Sequence, residues 1–359
     1  MVGGSNPLRC VFSCGALAIL VHPLARTSEE FAQALGLLCH KKPPAALALY
    51  RSFIRQGAIQ AGLPEFRNAP RLFEQMAALI DQHIDPISEV FEEERTKKFL
   101  LRTTDGAMVE SVIMDMGCRQ SLCVSSQVGC RMGCAFCRTG QLGFRRNLTV
   151  SEIVQQVFCA IHILKAPIKN VVFMGMGEPF DTIESVLQAV RVLTDPFGFG
   201  IGLRRITLST SGELNGIARL ANEPGLLPNL AVSLGSAKDE VRASLMPRRR
   251  HEPLCLLKEA LQAYCQRRQR QVLLSYVLLN SVNDSSEDAD AFASFAEGLD
   301  ARLNVIPYNP FPGSPFSRPP AERIHAFVAR LRSRSLPVFL RQERGLSIRA
   351  ACGQLGGHS

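Results

Sequence analysis

From residue 26 to about residue 95, apolar side chains recur every three to four positions, the spacing of amphipathic helices. The pattern is clearest in "SEEFAQALGLLCH" (28–40) and "APRLFEQMAALIDQHI" (69–84), and it is interrupted by "KKPP" and "GLPEFRNAP". Ser28 ahead of Glu29 and Glu30 is a natural helix start. Past "EEERTKK" (92–98) the period shortens, and "FLLRT" (99–103) and "AMVESVIMDM" (107–116) read as strands around the turn "TTDG".

Further along, helical and strand patterns alternate. "SEIVQQVFCAIHIL" (helix) precedes "NVVFMGMG" (strand), and "TIESVLQAVRVL" (helix) precedes "RRITLSTSG" (strand). "LNGIARLA", "NLAVSLG", "EPLCLLKEALQAYC", "QVLLSYVLL", "DADAFASFAEGL" and "RLNVIPYN" continue the rhythm, and "AERIHAFVARLR" and "LPVFLRQ" close it. This alternation predicts an α/β fold of βα units around a parallel sheet or barrel. About six units follow residue 129, fewer than the eight of a closed barrel, so the expected architecture is a partial (β/α)6 barrel over 96–359. A small helical domain over 1–95 precedes it. "GMGEP" (175–179), "STSG" (209–212), "SLGS" (233–236) and "YNPFPG" (308–313) fall at strand ends. In such a barrel that rim contacts ligand, and simple turn chemistry explains each stretch equally well.

Composition narrows the class. The chain of 359 residues is 46% apolar, enough for a buried core, and its net charge of +9 suits a polyanionic partner. Twelve cysteines are too few for a disulfide scaffold at this length, and five (Cys118, Cys123, Cys130, Cys134 and Cys137) crowd into twenty residues. Crowding of that kind reads as metal or redox chemistry in a reducing compartment. Cys10, Cys14, Cys39, Cys159, Cys255 and Cys265 read as ordinary small apolar residues. "CVFSCGALAILVHPLA" (10–25) is too short to span a bilayer comfortably and reads as an N-terminal helix or as sequence upstream of the true start. A cytoplasmic protein without a membrane anchor is expected.

The strongest chemical signal is "GCRMGCAFCRTG" (129–140), which sets Cys130, Cys134 and Cys137 in a C-x3-C-x2-C pattern. Thiolates bind zinc or iron–sulfur clusters. A structural zinc site wants a fourth protein ligand nearby, yet no histidine lies between His83 and His162. Three cysteines on a 4Fe-4S cluster leave one iron open to an outside ligand. Zinc stays open as the second reading.

The triplet, with Phe136 before its last cysteine, resembles the radical S-adenosylmethionine (SAM) superfamily. Its surroundings are more specific. "CVSSQVGCRMGCAFCRTGQLGFRRNLTVSEI", "MGMGEP", "RRITLSTSG", "IPYNPFPG" and "AACGQL" resemble, in that order, the RlmN/Cfr type of radical SAM RNA adenine methyltransferases. The resemblance runs from about residue 95 to the C-terminus and is weak before it.

The resemblance implies a radical SAM barrel with a 4Fe-4S cluster on Cys130, Cys134 and Cys137, and two SAM molecules per turnover. Gly177, Glu178, Ser209, Ser233, Leu234, Gly235 and Asn309 match its SAM contacts, with Gly235 standing where the family usually has histidine. One SAM would methylate Cys352 of "AACGQL", and the other would yield the 5′-deoxyadenosyl radical that takes hydrogen from that S-methyl group. The carbon radical adds to adenine, Glu110 matches the base that removes the ring proton, and Cys123 matches the thiol that frees the product by pairing with Cys352. "GEP", "STSG" and "NPFPG" favour reaction at adenine C2 over C8. The implied partners are ribosomal RNA, also transfer RNA, and an electron donor such as flavodoxin or ferredoxin, with the enzyme acting as a monomer. For the RNA backbone, "MPRRRH" (246–251), "QRRQR" (266–270), "FRRN" (144–147) and Arg204–Arg205 are basic candidates, and the helical region 1–95 is expected to be an RNA-binding accessory region. A radical SAM enzyme with another substrate and a non-catalytic, zinc-stabilised RNA-binding protein are the rival readings.

Overall fold

The computed structural model describes residues 20–39, 43–249 and 252–356. Most of the apolar stretch 10–25, with Cys10 and Cys14, and the end of "MPRRRH" lie outside the described residues. Among the described residues no helix is long and apolar enough to cross a membrane.

The N-terminal region forms α1 (Ser28–Cys39), α2 (Pro43–Gln56) and α3 (Pro70–Ala77). Helix α3 stops short of the expected span because Ile80 leaves the helix to bridge Val21 as an isolated β pair. These helices do not stand apart. Phe53 stacks on Phe158 with ring centroids 5.0 Å apart, and the backbone N–H and hydroxyl of Ser28 donate to the Asp195 carboxylate at 2.5 and 3.1 Å. Phe31, Leu35, Leu49 and Phe53 therefore share one continuous core with the barrel.

Next come β1 (Ile87–Glu93), β2 (Thr96–Arg102), β3 (Met108–Asp115) and β4 (Gln120–Cys123), an antiparallel meander. Strand β1 escaped the sequence pattern because it lies at the sheet edge with mostly exposed or half-buried side chains, so it lacks a clean alternation. The boundary expected between residues 95 and 96 falls in the turn joining β1 to β2. A two-stranded ribbon, β5 (Gln127–Gly129) with β6 (Phe144–Asn147), brackets α4 (Arg138–Gln141) and the cysteine loop.

The βα units follow: α5 (Val150–His162), β7 (Ile168–Phe173), α6 (Ile183–Thr194), β8 (Ile206–Thr210), α7 (Leu214–Asn222) and β9 (Asn229–Ser233). Then come α8 (Asp239–Leu245), α9 (Leu254–Arg268), β10 (Val272–Leu278), α10 (Ser286–Ala296), β11 (Ala301–Pro307), α11 (Ala321–Ser333) and β12 (Val338–Leu340). Helix α5 begins with a capping box in which Thr149 and Glu152 bond each other's backbone N–H, and Ser285 with Asp288 repeats the device at α10. The ten-stranded sheet runs β1-β2-β3-β4-β7-β8-β9-β10-β11-β12. From β4 to β12 all neighbours are parallel. Strands β4, β7, β8, β9, β10 and β11 give the six-stranded partial barrel, and β12 adds a short seventh strand at its edge. Their C-terminal ends face one side, where the cysteine loop and the chain's last segment meet.

Candidate active site

Glycines let the cysteine loop close. Gly129 has φ +74°, and a Cβ there would sit 2.0 Å from the carbonyl oxygen of Gly143. That same carbonyl accepts from the Cys130 N–H at 2.8 Å, so the loop is fastened where it begins. A Cβ on Gly140 would meet the Cys134 backbone N at 2.8 Å. The Cys137 N–H donates to the Cys134 carbonyl, and the Ala135 N–H to that of Leu245. Phe136, Leu245, Met246, Leu279, Tyr308 and Phe311 form an apolar cluster against Cys134 and Cys137, which keeps water away. Burial, the largest cause, pushes the thiols of Cys130, Cys134 and Cys137 upward, and a bound cation would offset that by favouring thiolates.

The three thiols border one cavity of about 200 Å³. Among the described residues no group of three Cys, His, Asp or Glu side chains is gathered to hold a single ion. A tetrahedral zinc site would need its sulfurs about 3.8 Å apart. An iron–sulfur cluster takes one thiolate on each of several irons and needs no such convergence. The donor set and its apolar jacket fit the cluster, and the zinc reading loses its geometric support.

The turn "GMGEP" after β7 borders the same cavity. Gly177 has φ +104°, and a Cβ there would press within 2.6 Å of Gln127. The space goes to the buried Gln127 amide, whose carbonyl oxygen accepts from the Glu178 N–H at 2.9 Å while its NH2 donates to Asn147 Oδ1 at 2.9 Å. The Glu178 carboxylate accepts from the N–H groups of Phe180 (3.0 Å) and Ser211 (2.7 Å). Its burial raises its pKa, and these backbone donors oppose that rise. No cation among the described residues pairs with it, so an ammonium such as that of SAM would supply the missing charge. Asn309 adds a second opening for a ligand: its NH2 donates to the Cys352 carbonyl at 3.3 Å, while its buried Oδ1 has no partner. Ser209 and Ser233 line the same cavity. Leu234 does not, being fully buried in the core. Gly235 is also off the wall. It has φ +72°, and a Cβ there would lie 2.6 Å from Met246 Sδ, so Met246 occupies the space beside it.

The segment carrying Cys352 crosses the mouth of this cavity. The Arg138 N–H, next to Cys137, donates to the Gly353 carbonyl at 2.7 Å, and Thr139 Oγ1 donates to the Leu355 carbonyl at 2.7 Å. Cys352 is close enough for its charge to act on both Cys123 and Cys137. Cys123 and Cys352 are free thiols, the first buried and the second exposed. Burial first, and the Cys352 charge second, push the Cys123 thiol up to about 12. Arg341, a cavity-wall residue the sequence did not single out, pulls it the other way.

Glu110 lies behind the segment, 2% exposed, its Oε1 accepting from the Gly356 N–H at 3.0 Å. Its Oε2 is 3.4 Å from Nζ of Lys98, which is itself fully buried. Nothing in "EEERTKK" marked Lys98 as an interior residue.

Several basic candidates are engaged in the fold. Arg146 forks onto Asp105 and Glu152, Arg267 donates to the Ala221 carbonyl, and Arg268 to those of Glu223 and Leu226. Arg204 and Arg205 are exposed.

Three cysteines at the C-terminal rim of a partial (β/α)6 barrel, beside a carboxylate awaiting an ammonium, define the class: this is a radical SAM enzyme. The family model for the Radical SAM superfamily matches residues 124–293. A probable dual-specificity RNA methyltransferase RlmN 1 of Protochlamydia amoebophila (strain UWE25) is 44% identical over 333 residues, covering 93% of each chain. A dual-specificity RNA methyltransferase RlmN 1 of Myxococcus xanthus (strain DK1622) is 42% identical over 315 residues, 86% of each chain. The crystal structure of a radical SAM methyltransferase from Sphaerobacter thermophilus superposes with a TM-score of 0.86 at 38% identity, covering 92% of this chain and 98% of that one. The chain belongs to the RlmN family of radical SAM RNA methyltransferases, which use a 4Fe-4S cluster and SAM. The match over 93% of the chain also takes in the N-terminal helices, where the motifs alone had little to offer.

Proposed function

We propose that this enzyme methylates C2 of an adenine in large-subunit ribosomal RNA, and in transfer RNA, through a methyl group carried on Cys352. The reading rests above all on the position of Cys352, which borders the cavity of the cysteine triplet on a segment fastened both to Arg138 beside Cys137 and to Glu110. The cluster, when bound, supplies the electron that cleaves SAM to the hydrogen-abstracting radical. Glu178 and Asn309 orient SAM, with Ser209 and Ser233 on the same wall. Cys352 first attacks the methyl of one SAM and later presents that methyl for hydrogen abstraction and addition to the base. Glu110 takes the ring proton, the unpaired electron of the adduct would pass back to the bound cluster, and the Cys123 thiolate attacks the Cys352 sulfur, forming a disulfide as the sulfur–carbon bond breaks and the released carbon takes up a proton to become the product methyl. Two electrons from an external donor then return the disulfide to thiols. A reduced flavodoxin or ferredoxin fits the electron supply, and a cytoplasmic monomer fits the whole.

Anaerobically reconstituted protein, given methyl-labelled SAM, a reductant and each RNA in turn, should place label in 2-methyladenosine, read by mass spectrometry of digested nucleosides. Label in 8-methyladenosine would replace C2 by C8. Intact SAM cleavage with no methylated adenine would overturn the substrate.

A further inference from the structure

Lys98 and Glu110 form a buried ion pair that the proposed reaction does not explain by itself. In the antiparallel pairing of β2 and β3, Leu100 faces Glu110 and Lys98 faces Val112, so the two charges are diagonal neighbours on one face of the sheet. Lysine is rarely left fully buried, because the ammonium loses its hydration. Here the cation is completely engaged: Glu110 Oε2 at 3.4 Å, the Arg349 carbonyl at 3.3 Å, and the Phe91 ring with its centroid 5.2 Å away. Glu110 spends its other oxygen on the Gly356 N–H at 3.0 Å. The pair therefore grips the last segment of the chain at residues 349 and 356, on either side of Cys352. The other charged groups acting on Lys98 are Glu89 of β1 and Arg349 of the last segment.

We propose that Lys98 is a positioning residue for the methyl transfer: its ammonium, paired with the Glu110 carboxylate in a dry setting, holds that carboxylate aimed beneath the Cys352 segment. A residue serving only to pack the sheet would be apolar, since burying a well-fitting side chain there carries no desolvation cost. Among the described residues, Lys98 is the cation within ion-pair distance of Glu110. This role rests on the reading of Glu110 as the base, and the test separates the two.

Cluster-loaded Lys98→Gln, Lys98→Arg and Glu110→Gln would be compared for cluster absorbance, SAM cleavage, KM for RNA, and the pH dependence of a single turnover from adduct to methylated RNA. Glutamine can still donate to the Arg349 carbonyl and hold the segment, but it carries no charge. For Lys98→Gln the expected result is a normal KM, a turnover slowed at least about tenfold at neutral pH, and an acid limb moved upward by about one pH unit or more. The sign follows from charge: removing a cation 3.4 Å from a carboxylate favours the neutral acid. Lys98→Arg should leave the acid limb in place while slowing the step less. If Lys98→Gln fails to load its cluster, Lys98→Arg decides alone, and a displaced acid limb in that variant overturns the role. A raised KM with an unmoved acid limb in Lys98→Gln would make the pair a structural clamp only. Glu110→Gln should halt at the protein–RNA adduct. Normal turnover of the adduct by that variant would remove Glu110 as the base, and this role for Lys98 with it.

Discussion

The two segments that bring thiols to the cavity differ in what chiefly fastens them. In residues 129–143 the backbone is packed onto itself: Gly129 leaves no room for a Cβ against Gly143, nor Gly140 against Cys134. In residues 349–356 the segment is hung on hydrogen bonds, from Asn309 to Cys352, from Arg138 to Gly353, from Thr139 to Leu355 and from Gly356 to Glu110. Close-packed backbone has no second arrangement to adopt. Hydrogen bonds worth about 0.5–1.5 kcal/mol apiece can be exchanged for others. The difference matches the work. In the proposed reaction the cluster ligands stay where they are throughout turnover, whereas Cys352 meets SAM, then adenine, then Cys123.

Substituting one thiol from each segment gives the largest contrast. Cys134→Ala should lose the brown iron–sulfur absorbance after anaerobic reconstitution and, with it, all SAM cleavage. Cys352→Ala should keep both absorbance and SAM cleavage and make no methylated RNA. If methylated adenine still appears with Cys352→Ala, the methyl-carrier role is wrong. If Cys352→Ala also fails to take up iron, the two segments are not separable in the way their packing indicates.

A smaller contrast comes from adding one methyl group to each segment. Gly129→Ala meets a carbonyl oxygen at 2.0 Å in a left-handed backbone, so the loop cannot keep its path. The expected result is iron content well below stoichiometric and a loss of at least about 3 kcal/mol of stability. Gly353→Ala has φ +86° but meets nothing closer than the Phe136 carbonyl at 3.3 Å. That change should cost only about 1 kcal/mol and leave iron content intact. Equal iron content in the two variants, measured by chemical iron assay, would remove the claim that close packing holds the triplet.

The same contrast explains what could be seen in the sequence. The cysteine loop is local, so spacing and glycines displayed it, and the βα rhythm displayed the barrel around it. The Cys352 segment is assembled from residues far apart in the chain. Resemblance singled out Cys352, Cys123 and Glu110, but Lys98 went unseen because a lysine after "EEERTK" looks solvated. Its burial arises only when β2 pairs with β3 and the chain's end folds over both. Gln127 was hidden for a related reason: its function is to fill the room that Gly177 leaves, a relation between two strand ends. Arginines of "FRRN" and "QRRQR" show the converse. Their charge was visible, but the carboxylates and carbonyls that occupy them, such as Asp105 and Glu223, come from other elements.

Cys123 tests the mobile side of the comparison most finely. Its thiol is held up at about 12, by burial first and by the Cys352 charge second. Once Cys352 carries the methyl group or the RNA adduct, it has no thiolate charge and that second cause disappears, leaving burial. The thiol pKa then still stands above neutral pH, so the reactive thiolate is the minor form. Its fraction rises about tenfold per pH unit until the pKa is approached. Release of methylated RNA from a purified adduct should accelerate accordingly between pH 7 and pH 9, read as loss of the protein–RNA band on a denaturing gel. Arg341→Gln should slow release at every pH, because that cation works for the thiolate. A flat profile would mean that Cys123 is already ionised in the adduct, which would require the segment to swing aside and admit water before the sulfur attacks.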